Sequence, residues 1–284
     1  MLIFKTVVEL QQFLFSLKNQ FIGFVPTMGA LHQGHLSLIE YAADENDIVV
    51  CSIFVNPTQF NNKEDLEKYP RHTDKDIALI KNAFSDDNVV VFLPEVKEIY
   101  PNKIEKSYDF GNLSLVMEAQ HRPGHFDGVG MVLERFFDIV QPTKAYFGEK
   151  DFQQLAVVRN LVKQLNLSID IVGCPIVREA NGLAMSSRNE RLTTEQKEQA
   201  ANIYKFLENA KQQTKTLTLN EVKDNFISSI KNIPALQLEY FEIADGNTLL
   251  SINKWEETSY CVAFVAVFVG NVRLIDNVTL YSNN

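Results

Sequence analysis

Apolar runs alternate with segments of helical spacing along the first 176 residues. Short apolar runs bounded by turn residues predict buried strands, whereas apolar residues three and four positions apart predict amphipathic helices. The predicted strands cover 21–28, 47–56, 88–94, 144–149 and 169–176, and the predicted helices cover 7–17, 36–43, 123–141 and 151–165. Strand–helix alternation of this kind predicts an α/β fold with a parallel sheet covered on both faces.

The pattern changes after about residue 177. The segments 191–213 and 218 onward read as helices, because Thr193 with Gln196, and Thr218 with Glu221, have the spacing of capping boxes. Strand-like runs follow over 236–245, 259–270 and 272–280. We therefore predict a parallel-sheet domain over 1–176 and a smaller α+β domain over 177–284. The sequence shows no repeat and no Ser/Gly-rich linker between them.

Composition and charge narrow the class of protein. The 284 residues are 45% hydrophobic, enough for a sizeable core, and the formal net charge of −9 argues against a nucleic-acid partner. The three widely spaced cysteines predict reduced thiols and a cytoplasmic location. We expect no signal peptide and no membrane segment, because the longest apolar run, 260–270, is far shorter than the roughly 18 residues of a spanning helix.

The stretch "PTMGALHQGHLSL" (26–38) carries the chemistry that stands out most. It follows a predicted buried strand and leads into a helix, whose free N–H groups attract phosphate oxygens. His32 and His35 lie about one helical turn apart, so they would share a helix face. Two imidazoles could donate hydrogen bonds to charge that develops as pyrophosphate leaves. The alternatives are a metal site, which lacks an adjacent third ligand, and two surface or capping histidines.

Four further polar segments suit a small anionic ligand. They are 54–60 with Asn56 and Gln59, 118–128 with Arg122, 145–155 with Gly148, Lys150 and Asp151, and 183–192 with Ser186, Ser187 and Arg188. Two hydroxyls beside an arginine could clamp a phosphate. In the alternative interpretation Asp151 only caps a helix beside a solvated Lys150, and 183–192 is a polar interdomain turn. Three of the five segments lie at predicted strand ends, where ligands of parallel sheets collect.

These segments together resemble one family, the pantothenate synthetases or pantoate–β-alanine ligases. The matching stretches are "VPTMGALHQGH", "SIFVNPTQF", "YPR", "RPGHFDGV", "FGEKDFQQL" and "VREANGLAMSSRN", in family order from residue 25 to 189. The resemblance implies a Rossmann-like sheet of the His-x-Gly-His nucleotidylyltransferase type with a small C-terminal domain. It also implies ATP as a substrate, Mg²⁺ with it, and a homodimer.

The activity implied by the resemblance is a ligation in two steps. ATP would adenylate the carboxylate of (R)-pantoate and release pyrophosphate. The amine of β-alanine would then attack the pantoyl-adenylate, giving pantothenate and AMP. The acyl phosphate supplies the leaving group that a free carboxylate lacks, and the enzyme holds the reactants together.

Residue roles follow by the same resemblance. His35, and with it His32, would donate to the phosphate charge of adenylation. The residues implied to bind ATP are Met28, Gly29, Ala30, Leu31, His32, Gln33, Gly34, His35, Gly148, Glu149, Lys150, Asp151, Val177, Met185, Ser186, Ser187 and Arg188. The residues implied to bind pantoate are Gln59 and Gln154, with Asn56, Tyr69 and Arg122 as further candidates.

Direct Mg²⁺ ligands do not follow from the sequence. Of the aspartates expected after "YPR", Asp76 is in place but its neighbour is Lys75. Three rival functions stay open at this point. A nucleotidylyltransferase of the same superfamily would stop after AMP transfer, an aminoacyl-tRNA synthetase would need an anticodon-binding extension, and a non-catalytic nucleotide sensor would have no use for the two glutamines.

Overall fold

The chain folds into two units. The computed structural model describes residues 1–17, 19–84, 88–102 and 105–282. The first unit comprises Met1–Phe110, His121–Glu149 and Gln154–Pro175, and the second comprises Gly111–Gln120, Lys150–Gln153 and Ile176–Asn284. The main division thus falls one residue before the predicted one. A single boundary does not describe the two short segments, because the side chain of Glu118 and the backbone carbonyl of Lys150 bond to residues of the C-terminal part of the chain.

The first unit is built on a six-stranded parallel sheet. Its strands are β1 (Ile3–Phe4), β2 (Ile22–Thr27), β3 (Ile48–Ile53), β4 (Val89–Phe92), β5 (Lys144–Gly148) and β6 (Asp170–Cys174). Their order across the sheet is β1-β4-β3-β2-β5-β6, and every pair is parallel. All residues of β3 are buried, as its continuous apolar run predicts. Only β1 escaped prediction, because two residues show no periodicity.

Helices cover both faces of this sheet. The helices up to residue 164 are α1 (Val7–Ser16), α2 (Gln33–Glu45), α3 (Lys63–Lys68), α4 (Thr73–Ala83), α5 (Val96–Ile99), α6 (Glu118–His121), α7 (His125–Val140) and α8 (Phe152–Gln164). Val25 of β2 packs in one cluster with Ile39 of α2. Its neighbour Phe24 meets Phe136 of α7, with ring centroids 5.5 Å apart. Because successive strand residues point to opposite faces, α2 and α7 lie on opposite sides.

The second unit is an α+β assembly. Its helices are α9 (Thr194–Ala200), α10 (Asn202–Gln213) and α11 (Leu219–Lys231), and its antiparallel strands are β7 (Leu236–Asp245), β8 (Tyr260–Val269) and β9 (Val272–Ser282), in the order β7-β8-β9. Both predicted capping boxes are present. The Phe226 ring of α11 stacks on Phe241 of β7 at 3.7 Å, which joins helices and sheet in one core.

One predicted helix is divided. The segment 191–213 was expected to be continuous, but α9 ends at Ala200 and α10 begins at Asn202. The side chain of Asn202 donates to the carbonyls of Glu198 and Gln199, at 3.4 and 3.0 Å. A side-chain amide that bonds to the preceding turn competes with the regular backbone ladder, which accounts for the break. In the described part of the chain, no helix is long and apolar enough to cross a bilayer.

Candidate active site

Three of the polar segments follow adjacent strands of the parallel sheet. β3, β2 and β5 are neighbours, and Thr27, the last residue of β2, pairs with Ile53, the last residue of β3. The chain winds from β2 through β3 to β4 on one side and places β5 and β6 on the other. Ligands of open α/β sheets bind outside the carboxyl ends of strands at such a switch point. Residues 28–35, 54–60 and Gly148 therefore lie along one sheet edge, as predicted.

The backbone of residues 28–31 is held by a carboxylate from another element. Gly29 and Ala30 have φ angles of 79° and 48°, a left-handed conformation that is costly for alanine. The carboxylate of Asp76 in α4 accepts hydrogen bonds from the N–H groups of Ala30 and Leu31, at 2.9 and 2.7 Å. Asp76 is only 3% exposed, so these bonds replace its hydration. The carboxylate thus fixes the turn that leads into the histidines.

The two histidines cap the start of helix α2. α2 begins at Gln33, three residues before the predicted start, because His32 is its N-cap and His35 its third residue. The Nδ1 of His32 accepts from the N–H of Gly34 at 3.1 Å, and the Nδ1 of His35 accepts from the N–H of His32 at 3.3 Å. The expectation that both lie on one helix face was wrong in detail: His32 precedes the helix, and the two ring centroids are 4.1 Å apart.

This capping fixes the tautomer of both rings. A neutral imidazole that accepts at Nδ1 carries its proton on Nε2. Each ring therefore presents an N–H donor at Nε2 while its other nitrogen is engaged at the helix start. The capping interpretation and the donor interpretation, which the sequence left as alternatives, describe opposite sides of the same two rings. What the arrangement can do chemically is donate two hydrogen bonds beside a helix N-terminus.

Gln59 is oriented by a buried amide next to it. Asn56, 1% exposed, caps the short 3₁₀ turn Pro57–Gln59 that follows β3. Its Nδ2 donates to Gln59 Oε1 at 3.0 Å and to the carbonyl of Gly128 at 3.1 Å. Its Oδ1 accepts from the hydroxyls of Thr58 and Tyr100, each at 2.9 Å. Burial raises the pKa of Tyr100. Both ends of the Asn56 amide therefore bond to protein groups.

Helix α7 supplies two further contacts to this turn, and Met28 a third, that the sequence analysis missed. The ring of His125 donates from Nδ1 to the carbonyl of Gln59 at 2.8 Å. Gly128 lets the helix backbone approach the turn, since a Cβ there would lie 2.3 Å from the carbonyl oxygen of Thr58. The Nε2 of Gln59 itself donates to Met28 Sδ at 3.0 Å. The stretch "RPGHFDGV" contained the signal, but only Arg122 was taken from it.

The other predicted substrate residues of the first unit are placed as follows. Tyr69 is buried, with its ring edge-on to Phe60 at 5.6 Å. Arg122 is half-buried in the turn before α7, where its carbonyl accepts from the N–H of His125 at 3.1 Å. Gln154 is half-buried in the first turn of α8. Gly148 ends β5, and no described protein atom lies within 4 Å of where its Cβ would stand. Glu149 lies against Gly173 of β6.

In the second unit, Lys150 is more enclosed than a solvated lysine. Its side chain is 18% exposed, and its Nζ lies 3.3 Å from the carboxylate of Asp151. Glu149–Asp151 form a 3₁₀ turn that runs directly into α8. The alternative interpretation, in which Lys150 is simply solvated beside a capping aspartate, is therefore wrong for the lysine. An enclosed ammonium group can still pair with an anion, although the charge of Asp276 acts on it in addition to that of Asp151.

The predicted clamp residues extend from a small hairpin of the second unit. The N–H of Met185 donates to the carbonyl of Val177 at 3.0 Å, and Arg178 pairs with Ala184 in an antiparallel bridge. Ser186 then caps a 3₁₀ turn over Ser187–Arg191, its hydroxyl accepting from the N–H of Arg188 at 3.3 Å. The segment 183–192 is thus an ordered hairpin end with its own cap.

The described residues contain no cluster of side chains that could ligate a metal ion. Within 1–17, 19–84, 88–102 and 105–282, no group of three or more His, Cys, Asp or Glu side chains could hold a metal ion. Asp76, the only expected aspartate in place, directs its two oxygens at backbone N–H groups. The chain's own donor set therefore does not form a dedicated magnesium site among these residues.

Comparison with known proteins decides the family. The family model described as pantoate-beta-alanine ligase matches residues 2–279. The chain belongs to the pantoate–β-alanine ligase family. A pantothenate synthetase of Azobacteroides pseudotrichonymphae is 51% identical over 98% of this chain and 99% of its own length. One from Flavobacterium psychrophilum is 50% identical over 99% and 100%.

Solved structures agree with this family. The crystal structure of pantothenate synthetase from Thermus thermophilus superposes with a TM-score of 0.92 at 40% identity, covering 99% of this chain and 100% of that one. The ligase of Francisella tularensis, in complex with beta-gamma ATP and beta-alanine, gives 0.79 at 37% identity, with 99% and 98% covered. The predicted fold class is confirmed, and the protein is a C–N ligase that joins pantoate and β-alanine. A nucleotidylyltransferase is not favoured.

Proposed function

We propose that this ligase works through a pantoyl-adenylate. An oxygen of the pantoate carboxylate attacks the α-phosphorus of ATP, and the bond from that phosphorus to the bridging oxygen breaks, so that pyrophosphate leaves with the electron pair. The amine of β-alanine then attacks the acyl carbon, the bond to AMP breaks, and the amine loses a proton to solvent. The related Francisella tularensis enzyme, described as a complex with an ATP compound and β-alanine, supports these two substrates.

One observation carries the first step of this proposal. His32 and His35 accept at Nδ1 from the backbone of their own helix start, which leaves Nε2–H as the donor of each ring. Such donors, held in place before the reaction, stabilise charge that develops on a leaving phosphate. Residues Met28–His35 would bind ATP, with the helix N-terminus adding its own attraction for anions. His35 and His32 are the catalytic residues of the proposal.

Pantoate is the ligand we assign to the glutamines. Gln59 is oriented by Asn56 and by His125, and a neutral amide can bond to both a hydroxyl and a carboxylate. Gln154 is assigned the same ligand by the family resemblance. Because the amide of Asn56 is engaged on both sides, we propose that Asn56 aligns Gln59 instead of touching pantoate. Tyr69 and Arg122 stay secondary candidates.

The second unit would contribute cationic and hydroxyl donors for ATP. Lys150 carries the positive charge suited to a phosphate, and Arg188 adds a planar donor group beside the hydroxyls of Ser186 and Ser187. Gly148, Glu149 and Asp151 would accompany Lys150 around the nucleotide, and Val177 and Met185 would contact its adenine or ribose. We assign Mg²⁺ to ATP itself, as a complex with the phosphate oxygens, since magnesium often binds through substrate phosphates.

One experiment tests the reaction sequence. The purified protein is mixed with ATP, Mg²⁺ and pantoate, and pyrophosphate release is measured with and without β-alanine. We expect a first turnover of pyrophosphate without the amine and continuous turnover, with pantothenate and AMP formed, when β-alanine is added. Pyrophosphate release that never leads to amide product would contradict the second step. Product formation without any pantoyl-adenylate would contradict the first.

Two further parts of the proposal concern the protein as a whole. We propose a homodimer by the family resemblance, which size-exclusion chromatography with light scattering would test directly. A monomer at micromolar concentration would overturn the homodimer.

We also propose a cytoplasmic location, which agrees with the cysteines because Cys51, Cys174 and Cys261 are all free thiols. Recovery of the protein in a periplasmic or membrane fraction would overturn the cytoplasmic location.

A further inference from the structure

The final strand contains an adjacent acid and amide, both buried. Asp276 and Asn277 of β9 are each 6% exposed, in the stretch "LIDNV". Sequence reasoning found no usable motif in this part of the chain. Buried polar side chains are costly unless their hydrogen bonds are satisfied, so what these two residues bind is informative.

Asp276 binds the base of the hairpin that leads to Ser186. Its carboxylate accepts two hydrogen bonds from the guanidinium of Arg178, at 2.6 and 2.9 Å. Arg178 also donates to the carbonyl of Gly182 at 3.2 Å and lies over the ring of Tyr204, 3.7 Å from its centroid. Burial raises the pKa of Asp276 even against this arginine. The hairpin is thus fixed through Arg178, the residue next to Val177.

Asn277 binds the backbone of the turn that carries Lys150. Its Nδ2 donates to the carbonyl of Lys150 at 3.0 Å. Its own N–H donates to Asp276 Oδ1 at 2.8 Å, so the two side chains are linked as well as adjacent. Two adjacent residues of β9 therefore contact both the 177–185 hairpin and the Lys150 turn, the segments that carry the ATP-binding residues assigned to the second unit.

We infer that Asp276 and Asn277 are positioning residues for ATP, which hold the Lys150 backbone and the 177–185 hairpin in the arrangement that binds phosphate. The inference rests on the proposed function of Lys150 and Ser186–Arg188. It goes beyond that proposal because neither residue is assigned to touch a substrate. Asn277 bonds to the backbone carbonyl of Lys150, and Arg178 bonds to that of Gly182. These bonds fix the position of the backbone that carries the phosphate-binding side chains and leave the chemistry of those side chains unchanged.

A matched control lies in the same unit. Tyr240 donates from its hydroxyl to the buried Glu118 at 2.8 Å, and Arg273 bonds the same carboxylate. The acceptor of this cluster belongs to the segment 111–120, whereas the acceptor of Asn277 belongs to the Lys150 turn. The variant Tyr240→Phe removes the hydrogen bond to Glu118, as Asn277→Ala removes the one to the Lys150 carbonyl. It should lower stability by a similar amount without changing how ATP is bound.

The test is a double-mutant cycle read out on ATP. We expect Asn277→Ala to raise the KM for ATP about fivefold, the equivalent of one buried hydrogen bond, with the KM for β-alanine unchanged. If Asn277 acts through Lys150, adding Asn277→Ala to Lys150→Met should raise the KM for ATP by less than twofold further. Asn277→Ser, whose hydroxyl is one atom too short to reach the carbonyl, gives the same readout if the alanine variant does not fold.

Three results would overturn the inference in distinguishable ways. Fully additive effects of Asn277→Ala and Lys150→Met would mean that Asn277 does not act through the lysine. An equal rise in the KM for ATP in Tyr240→Phe would mean that any loss of stability in this unit gives the effect. A Lys150→Met variant with normal ATP kinetics would remove the assigned role of Lys150 itself, and the inference with it.

Discussion

Two segments assigned to ATP differ in how much of their geometry is local. In residues 28–35 glycine at 29 permits the turn, and His32 and His35 cap the start of α2 from within the same stretch, while Asp76 is the distant residue that holds the turn. The hairpin over 177–185 depends on a strand about 100 residues later, through Arg178 and Asp276. A locally determined segment gives a recognisable motif, whereas one held by distant residues gives two fragments that the sequence does not connect.

The largest expected effect concerns the donor in the local segment. His35→Glu keeps a side-chain acceptor for the N–H of His32, since glutamate is a favoured third residue of a capping box. It removes the Nε2–H donor, because an ionised carboxylate only accepts hydrogen bonds, whereas the amide of glutamine would still donate. We expect pyrophosphate release to fall at least about a hundredfold, as for other lost charge-stabilising donors, with the melting temperature nearly unchanged. His35→Ala should lose both activity and the cap. Near-normal release in His35→Glu would reduce His35 to a structural residue.

The next prediction tests whether residues 28–31 are as self-contained as their sequence suggests. Asp76→Asn leaves one amide oxygen for two N–H donors, so either Ala30 or Leu31 loses its partner. We expect a stability loss of about 1–3 kcal/mol and a rise of roughly tenfold in the KM for ATP. The control is Asp74→Asn, at an exposed position of the same helix. Equal behaviour of the two variants would mean that the turn needs no carboxylate.

A smaller effect is expected where α7 meets the 57–59 turn. In Gly128→Ala the added methyl would lie 2.3 Å from the Thr58 carbonyl, so the turn must move. Overpacking of this kind costs about 1–3 kcal/mol, and the displaced Gln59 should raise the KM for pantoate more than that for ATP. Gly130→Ala meets the Tyr108 ring instead, at 2.6 Å. If both variants change pantoate binding equally, the turn does not depend on Gly128.

The smallest expected effect is the reactivity of the buried cysteine thiols, which lie in both units. Burial raises the pKa of Cys51 to about 12, with the Asp76 charge as a lesser cause, and burial likewise raises the pKa of Cys174 and of Cys261 to about 11. Since the thiolate is the reactive form, all three should resist iodoacetamide at pH 8 in the folded protein and react after unfolding. Mass spectrometry of timed samples would measure this. Rapid labelling of Cys261 alone would show that the second unit opens independently.

The parallel sheet could be predicted because its strands are encoded locally. Buried runs such as 48–53 are apolar at every position but Ser52, and the capping boxes at Thr193 and Thr218 need only four residues each. The helix break at Ala201 could not be predicted, because it depends on where the Asn202 side chain finds its acceptors. The strand β1 was missed because two residues carry no pattern.

The candidate site residues could be predicted where they lie together in short continuous motifs of the sequence. His32, His35, Gln59 and Lys150 were found in this way, and their roles stay predictions. Asp76 was considered only as a metal ligand, because nothing in the sequence indicates that its carboxylate turns toward the backbone of Ala30. His125 and Gly128 escaped for a related reason: their value lies in the approach of α7 to another turn, which is a tertiary contact.

The central claim is that the two rings accept backbone hydrogen bonds at Nδ1 and therefore carry their proton, and their donor, on Nε2. The most direct measurement is the tautomer of His32 and His35, read from two-bond ¹⁵N–¹H correlations of histidine-labelled protein at pH 8. The account predicts that both neutral rings carry the proton on Nε2, with Nδ1 unprotonated. A proton on Nδ1 of His35 would contradict it.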